Sequence, residues 1–340
     1  MRIALVAPLY ESVPPKLYGG TERVVSYLAE ELVELGHRVT LFASGDSITR
    51  AELVPIVPAA LRLAGYKDPL AYHVLTLGKL QARIDDFDVV HHHADYLHFP
   101  TSRALGHPHV TTLHGRLDLP ELMPLFRQFG DAPLVSISHA QRAPLADANW
   151  QATVHHGVPL DLYAPSEVSS EYLVFIGRIS PEKRVDRAIE IAAKAKLPLK
   201  IAAKVDPADR EYFEAEVKPL LGHAHVEFVG EINDAAKAEL LRQARALLFP
   251  IDWPEPFGLV MIEAMACGAP VIAWPCGSVP EIITPGENGY VVASIDDAVA
   301  AVQGLEPSIR RRCRRTFEER FSASRMAKEY LRVYERLLDY

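Results

Sequence analysis

Two carboxylates, Glu255 and Glu263, stand eight residues apart in "EPFGLVMIEAMACGAPVIA". Glu263 is the only charge in an apolar stretch, with Met261, Ile262, Ala264 and Met265 around it, so it needs a hydrogen-bonding partner. Pro254 and Pro256 force an extended approach and Gly258 permits close backbone contact, so the pattern predicts a helix over 257–267, stopped by Gly268. Glu255 then falls just outside the helix N-terminus, where it and the free amides of Phe257, Gly258, Leu259 and Val260 can face one polar ligand. Sugar and ribose hydroxyls suit such carboxylates. A glycosidase acid/base pair is the competing reading, but it leaves a nearby pair of cations unused.

Those cations are Arg178 and Lys183 in "FIGRISPEKRVDRAIEIA". Ser180 is a good N-cap and Pro181 suits a first turn, so a helix is expected to start there. Both cations would then flank the positive end of a helix dipole, at a cost of roughly 0.3–1 kcal/mol each. A bound phosphate reverses that sign. The alternative is two surface cations paired with Glu182 and Asp186. Upstream, Gly19 and Gly20 in "LYGGTERVV" let backbone amides approach a ligand before a helix from about residue 22, or simply form a glycine turn. No G-x-G-x-x-G follows either half's first strand, which speaks against a dinucleotide dehydrogenase.

"FDVVHHHADYLH" (87–98) invites a metal-site reading. On a strand, however, His91 and His93 share one face and His92 takes the other, so three adjacent imidazoles do not converge on one ion. No D-x-D pair sits at a strand end, and "DDFD" (85–88) precedes its strand. No obligatory metal is expected.

The elements that position these groups alternate between short apolar strands and amphipathic helices, the pattern of α/β folds with parallel sheets. One set of strands is expected at 2–8, 38–44, 88–94, 109–115, 133–139 and 152–158. A second is expected at 172–178, 199–205, 226–231, 246–251, 270–275 and 289–294. Between them the polar run "PLDLYAPSEVSSE" breaks both periodicities. The chain therefore divides into a domain at 1–160, a linker at 161–171, a domain at 172–320 and a terminal helix at 321–340. That helix has Met326, Tyr330, Val333, Tyr334 and Leu337 at helical spacing and needs a surface to cover, the N-terminal domain being one candidate. Ligands of such sheets sit outside the carboxyl ends of the strands, where the motifs fall.

The chain has 340 residues, 49% of them hydrophobic and 24% charged, with a formal net charge of −8. These values fit a globular protein of two domains and disfavour a nucleic-acid partner. The exception is "IRRRCRRTF", whose arginines at 310–315 can meet anionic lipid or nucleic acid, or form a solvated helix start before Glu318 and Glu319. Three cysteines without paired spacing fit a reducing cytoplasm. Neither secretion nor a membrane span is expected, since the first residues run directly into "RIALVAP" and no apolar run reaches roughly 18 residues.

Together, "RISPEKRVDRAI" and "EPFGLVMIEAMACGAPVIA" resemble the retaining glycosyltransferases of family 4, and the likeness extends over nearly the whole chain. "YGGTERVVSYLAEELVELGHRVTLFASGDS" looks like that family's first βαβ unit, "TTLHG" and "VSISHAQR" like its fourth and fifth strand ends, and "VPEIITPGENGYVV" like its donor lobe. "PPKLYGGTERVV" is similar to bacterial members that glycosylate small acceptors. The resemblance implies the GT-B fold: two facing Rossmann-like domains with parallel sheets and an interdomain cleft. It implies a nucleoside-diphosphate sugar as donor, UDP-glucose first and GDP-mannose next, and a hydroxyl acceptor, with an epimerase of the same architecture as the alternative.

By the same resemblance, Arg178 and Lys183 grip the diphosphate, Glu263 the ribose, and Glu255 with the amides after it the transferred sugar. Gly230, Glu231 and Ile232 lie beside the base, His114 near the reacting sugar, and Gly20 near the phosphates. Asp95, Tyr96 and His98 become acceptor-side candidates, with loops 9–19, 45–70, 94–104 and 115–130 around them. Within these, "LVPIVPAALRLAGY" is either an acceptor wall or packing. Trp253, Pro254 and Ser278 depart from the family's usual residues, which bears on donor choice.

Overall fold

Burial on both faces explains the strands. Residues 3–6, "IALV", are apolar without alternation and fully buried, as a parallel strand covered by helices on both sides requires. The computed structural model describes residues 1–65 and 68–339. Tyr66 and Lys67, inside the 45–70 stretch expected near an acceptor, and Tyr340 of the terminal segment lie outside them. The chain forms two units, Met1–Gly157 with Ala323–Tyr340, and Val158–Ser322.

The first unit is built on strands β1 (Arg2–Val6), β2 (Arg38–Ala43), β3 (Glu52–Pro55), β4 (Val89–His92), β5 (His109–Thr112), β6 (Leu134–Ser136) and β7 (Trp150–Thr153). They form one parallel sheet in the order β3-β2-β1-β4-β5-β6-β7. β3 is an addition to the expected set. At an edge, half-exposed and ending in Pro55, it lacks the apolar run that marks the interior strands. The residues after it, Ile56, Val57 and Leu61, are core: they pack with Val6, Phe42 and Phe87, so this part of "LVPIVPAALRLAGY" is packing.

The Ala323–Leu338 helix belongs to this first unit. It buries Met326, Ala327, Tyr330, Val333 and Tyr334 and packs against the helix Gly20–Glu34. Tyr334 Oη lies 2.7 Å from His91 Nδ1, and Thr112 donates to Tyr330 Oη over 3.0 Å.

The second unit carries β8 (Leu173–Arg178), β9 (Leu199–Lys204), β10 (Val226–Phe228), β11 (Ala246–Phe249), β12 (Val271–Ala273) and β13 (Gly289–Val291), in the order β10-β9-β8-β11-β12-β13, all parallel. The chain crosses between units at 157/158 and 322/323, so the expected linker at 161–171 needs correcting. That segment is part of the second unit. Tyr163 is 1% exposed, and Arg310 and Arg314 donate to the carbonyls of Ser166, Tyr163 and Leu160. Its backbone carbonyls take arginines, while most of its side chains stay exposed.

The same bonds correct the basic patch. Arg310 is buried and also donates to the carbonyls of Ala244, Arg242 and Cys267. Arg312 reaches the carbonyl of Gly286, and Arg315 pairs with Glu287. Most of these guanidiniums tie the Ile309–Arg320 helix to its own unit, which leaves little charge to present to a membrane. Among the described residues no helix is long and apolar enough to cross one.

Candidate active site

In the second unit the strand order reverses between β8 and β11, the place where open parallel sheets leave a crevice at their carboxyl ends. Arg178 ends β8. The chain then makes a single turn, Pro181–Lys183, and passes through Arg184 in the left-handed region (φ 53°) before the helix Val185–Ala195 begins. The sequence pattern predicts a helix start at Ser180. Ser180 makes no side-chain cap bond, because the turn closes and breaks before the helix proper. Lys183 thus sits on a turn at the strand end and not in the first turn of a long helix.

Across the reversal, β11 leads into "PIDWPEPFG". Lys183 Nζ pairs with Glu255 Oε2, and the Trp253 indole N–H donates to the same oxygen over 2.9 Å. The ammonium also lies 4.6 Å from the Trp253 ring centroid and 5.6 Å from that of Phe249, within cation–π range. Arg178 donates to Glu182 over 2.6 Å and lies 3.5 Å from Asp209. Asp186 pairs with Arg184. The expected alternative pairing is thus half present: Glu182 does take Arg178, while Lys183 takes Glu255.

Glu255 is held by its neighbours. Ser278 donates through its N–H to the Glu255 carbonyl (2.9 Å) and through its hydroxyl to the Phe257 carbonyl (2.8 Å). A Cβ on Gly277, at φ +58°, would collide with the Glu255 backbone, and one on Gly258, at φ +77°, would meet Met261 Cε at 2.7 Å. Both positions need glycine for space as well as dihedral. The helix they seat runs Leu259–Ala266, with Cys267 closing it and Gly268 at φ 81°. Phe257 is buried, and Gly258, Leu259 and Val260 are partly exposed.

Glu263, 3% exposed on that helix, has the partners its apolar setting demands. Lys237 Nζ donates to Oε1 over 2.6 Å, and the Tyr163 hydroxyl donates to the same atom over 3.1 Å. Neither partner is marked by a sequence pattern. Lys237 is one ordinary lysine of a polar helix, Asp234–Gln243, and Tyr163 lay in the supposed linker. At the end of β10, Gly230 accepts from the Ala203 N–H, and Glu231 and Ile232 follow it, exposed and partly buried respectively.

In the first unit, Gly19 precedes and Gly20 opens the Gly20–Glu34 helix, two residues earlier than the sequence pattern indicated. Beside them Glu22 is buried and its carboxyl is pushed up to about 7, chiefly by loss of water and further by Glu11. Past β4 and β5, histidines form a column. His91 and His93 do share a face, their rings 3.9 Å apart, and His93 Nδ1 meets His114 Nε2 at 2.9 Å. His114 stacks on His156 at 5.3 Å. Burial drives the His114 imidazole down to about 3 and holds His91, His93 and His156 well below their usual value. His114 is therefore a neutral group in the structure.

His92, on the other face, stacks flat on His98 at 3.5 Å. This overturns one expectation: His98 is 2% exposed and is held by Ser102 and Thr111, each at 2.8 Å. Asp95 in the left-handed region (φ 53°) reverses the chain and returns His98 to the core. Asp95 and Tyr96, the latter 41% exposed, remain at the surface. Among the described residues no three His, Cys, Asp or Glu side chains are grouped to hold a metal.

Comparison with known proteins bears on the fold and the class of enzyme. The model for glycosyl transferases group 1 matches residues 165–317, and that for glycosyltransferase family 4 matches residues 18–162. The phosphatidyl-myo-inositol mannosyltransferase of Mycolicibacterium smegmatis is 28% identical over 339 residues, 90% of this chain and 84% of its own length. The N-acetyl-alpha-D-glucosaminyl L-malate synthase of Bacillus anthracis is 24% identical, with 98% of both chains covered. Among solved structures, AviGT4, a glycosyltransferase involved in avilamycin A biosynthesis, superposes with a TM-score of 0.78 at 26% identity over 99% of this chain and 98% of that one. Two parallel-sheet units with these relatives define a GT-B glycosyltransferase. The chain belongs to the family 4 type of these enzymes. None of these matches supports the epimerase alternative.

Proposed function

We propose that the enzyme moves a hexose from a nucleoside-diphosphate sugar to a hydroxyl of a small-molecule or glycan acceptor, with retention of anomeric configuration. The observation that carries this reading is the Lys183–Glu255 pair across the strand-order reversal of the second unit, with Arg178 beside it. Each of these cations has a carboxylate counter-ion at rest, which the donor diphosphate replaces. As the C1–O bond to the diphosphate breaks, Arg178 and Lys183 take up the charge on the leaving oxygens, so the reaction needs no obligatory metal. The acceptor oxygen bonds to C1 on the same face, and its proton passes to the departing phosphate.

Glu263 takes the ribose hydroxyls, and Glu255 with the amides of Phe257, Gly258, Leu259 and Val260 takes the sugar hydroxyls. Gly230, Glu231 and Ile232 line the base, with Gly19 and Gly20 on the phosphate side. In the first unit the neutral His114 is assigned to the reacting sugar, and Asp95 and Tyr96 to the acceptor. UDP-glucose is the first donor to test. GDP-mannose is the second reading, favoured by the mannosyltransferase relative. A cytoplasmic location suits three unpaired cysteines, two of them buried.

Hydrolysis of a panel of UDP- and GDP-sugars, repeated with EDTA, tests donor class and metal independence. Turnover of one donor, undiminished by the chelator, is expected, and dependence on added divalent ion would overturn the metal-independent reading. Anomeric coupling in the product's NMR spectrum distinguishes retention from inversion.

A further inference from the structure

We propose that Trp253 is a positioning residue, which keeps Glu255 aimed at the donor sugar while Lys183 changes partner from that carboxylate to the diphosphate. The inference rests on the roles given above to Lys183 and Glu255. Both hydrogen bonds to the Glu255 carboxylate, from the Lys183 ammonium and from the Trp253 indole, fall on Oε2. Oε1 accepts none among the described residues and is the oxygen available to a sugar hydroxyl. When a diphosphate draws the ammonium away, Oε2 loses one of its two donors. The indole cannot follow, because it is carried two residues earlier on the same loop, where the Glu255 N–H donates to the Trp253 carbonyl over 2.8 Å. A single N–H then fixes which carboxylate oxygen faces the sugar.

The ring has a second use. Its face lies 4.6 Å from Lys183 Nζ, so the ammonium keeps a favourable seat as it swings between carboxylate and phosphate. Glu263 shows the same pairing of a cation with an aromatic donor: Lys237 and Tyr163 share Oε1, with the ammonium 5.8 Å from the tyrosine ring. Oε2 of Glu263 accepts no hydrogen bond among the described residues. Both carboxylates thus present one tethered and one open oxygen.

Two variants and one spectrum test this. Trp253→Phe keeps the ring and removes the donor, whereas Trp253→Leu removes both. In Trp253→Phe, affinity for UDP and GDP by calorimetry should stay within about twofold, while kcat with the donor found by the panel falls roughly tenfold, the weight of one hydrogen bond to a charged group. In Trp253→Leu nucleotide affinity should fall as well. The chain has three tryptophans, so an indole 1H–15N spectrum has three signals, and the one lost in Trp253→Phe is that of Trp253. It should move upfield in Glu255→Ala and stay downfield when UDP or GDP saturates the unaltered enzyme.

An indole signal indifferent to Glu255→Ala overturns the contact. A Trp253→Phe enzyme with unchanged kcat, or with nucleotide affinity reduced as much as kcat, overturns the positioning role. Failure of the underlying reading shows separately: if Lys183→Ala binds UDP and GDP as tightly as the unaltered enzyme, the exchange of partners is overturned even where the indole contact stands.

Discussion

The two units handle buried titratable groups in opposite ways. In the second, carboxylates are kept beside cations: Glu255 with Lys183, and Glu263 with Lys237. In the first, imidazoles are stacked on one another out of water and kept neutral. All but two of the fourteen histidines lie in the first unit, His223 and His225 being the exceptions. A paired carboxylate offers a permanent charge to a polar ligand. A neutral imidazole offers a donor and an acceptor without competing for a phosphate. The difference fits the roles proposed above: cations of the second unit for a diphosphate, its carboxylates for hydroxyls, and neutral imidazoles of the first for the reacting sugar.

Acid should separate the units most strongly. His91, His92, His93, His98 and His156 are held well below their usual value in the fold, and His114 at about 3. Unfolded, each titrates near 6.5, so below that pH the unfolded state binds more protons than the folded one. Stability is then full above pH ~6.5 and falls by about 1.4 kcal/mol per pH unit for each such imidazole. Several together rival the roughly 5–15 kcal/mol of a typical domain. Hydrogen exchange read by mass spectrometry should show the first unit losing protection between pH 6.5 and 5 while the second keeps it. Simultaneous loss would break the comparison.

Next in size is Lys183→Ala, which removes the charge proposed to meet the leaving group. Donor turnover should drop ~10²–10³-fold, with an unchanged near-ultraviolet circular dichroism spectrum. Full activity would show that the Lys183–Glu255 pair only ties two loops together. Lys237→Met should cost about 2–3 kcal/mol in urea unfolding, since it removes a hydrogen bond to the buried carboxylate of Glu263. A loss below 0.5 kcal/mol would mean that water substitutes for the lysine and that the second unit depends less on pairing than its geometry indicates. The smallest effect belongs to Tyr334→Phe, which deletes one hydrogen bond to His91 and should lower stability by about 1 kcal/mol. It should also shift the acid transition of the first unit, because the bond fixes one face of the histidine column.

Legibility in the sequence followed how local the cause was. Interior strands such as β1, β8 and β11 were readable because burial on both faces demands unbroken apolar runs. β3 was not, since an edge strand is defined by its neighbour and not by its own composition. The carboxylates at 255 and 263 and the cations at 178 and 183 could be singled out by spacing alone. Their partners could not: Trp253 stood out only as an unusual residue, and Lys237 and Tyr163 carried no signal. His98 was misplaced for the same reason, because one left-handed residue at Asp95 decides whether it faces solvent or core.

By itself the sequence determined the alternation of strands and helices, the side-chain alternation of His91 to His93, and which charges sit in apolar surroundings and so must find partners. These follow from local periodicity and the cost of burying a charge. Only the tertiary structure decided who those partners are, that the 161–171 segment belongs to the second unit, and that Arg310, Arg312 and Arg314 bond to backbone carbonyls of that unit. Each of those outcomes depends on groups tens to hundreds of residues apart, and such meetings are set by how the sheets pack rather than by any pattern along the chain.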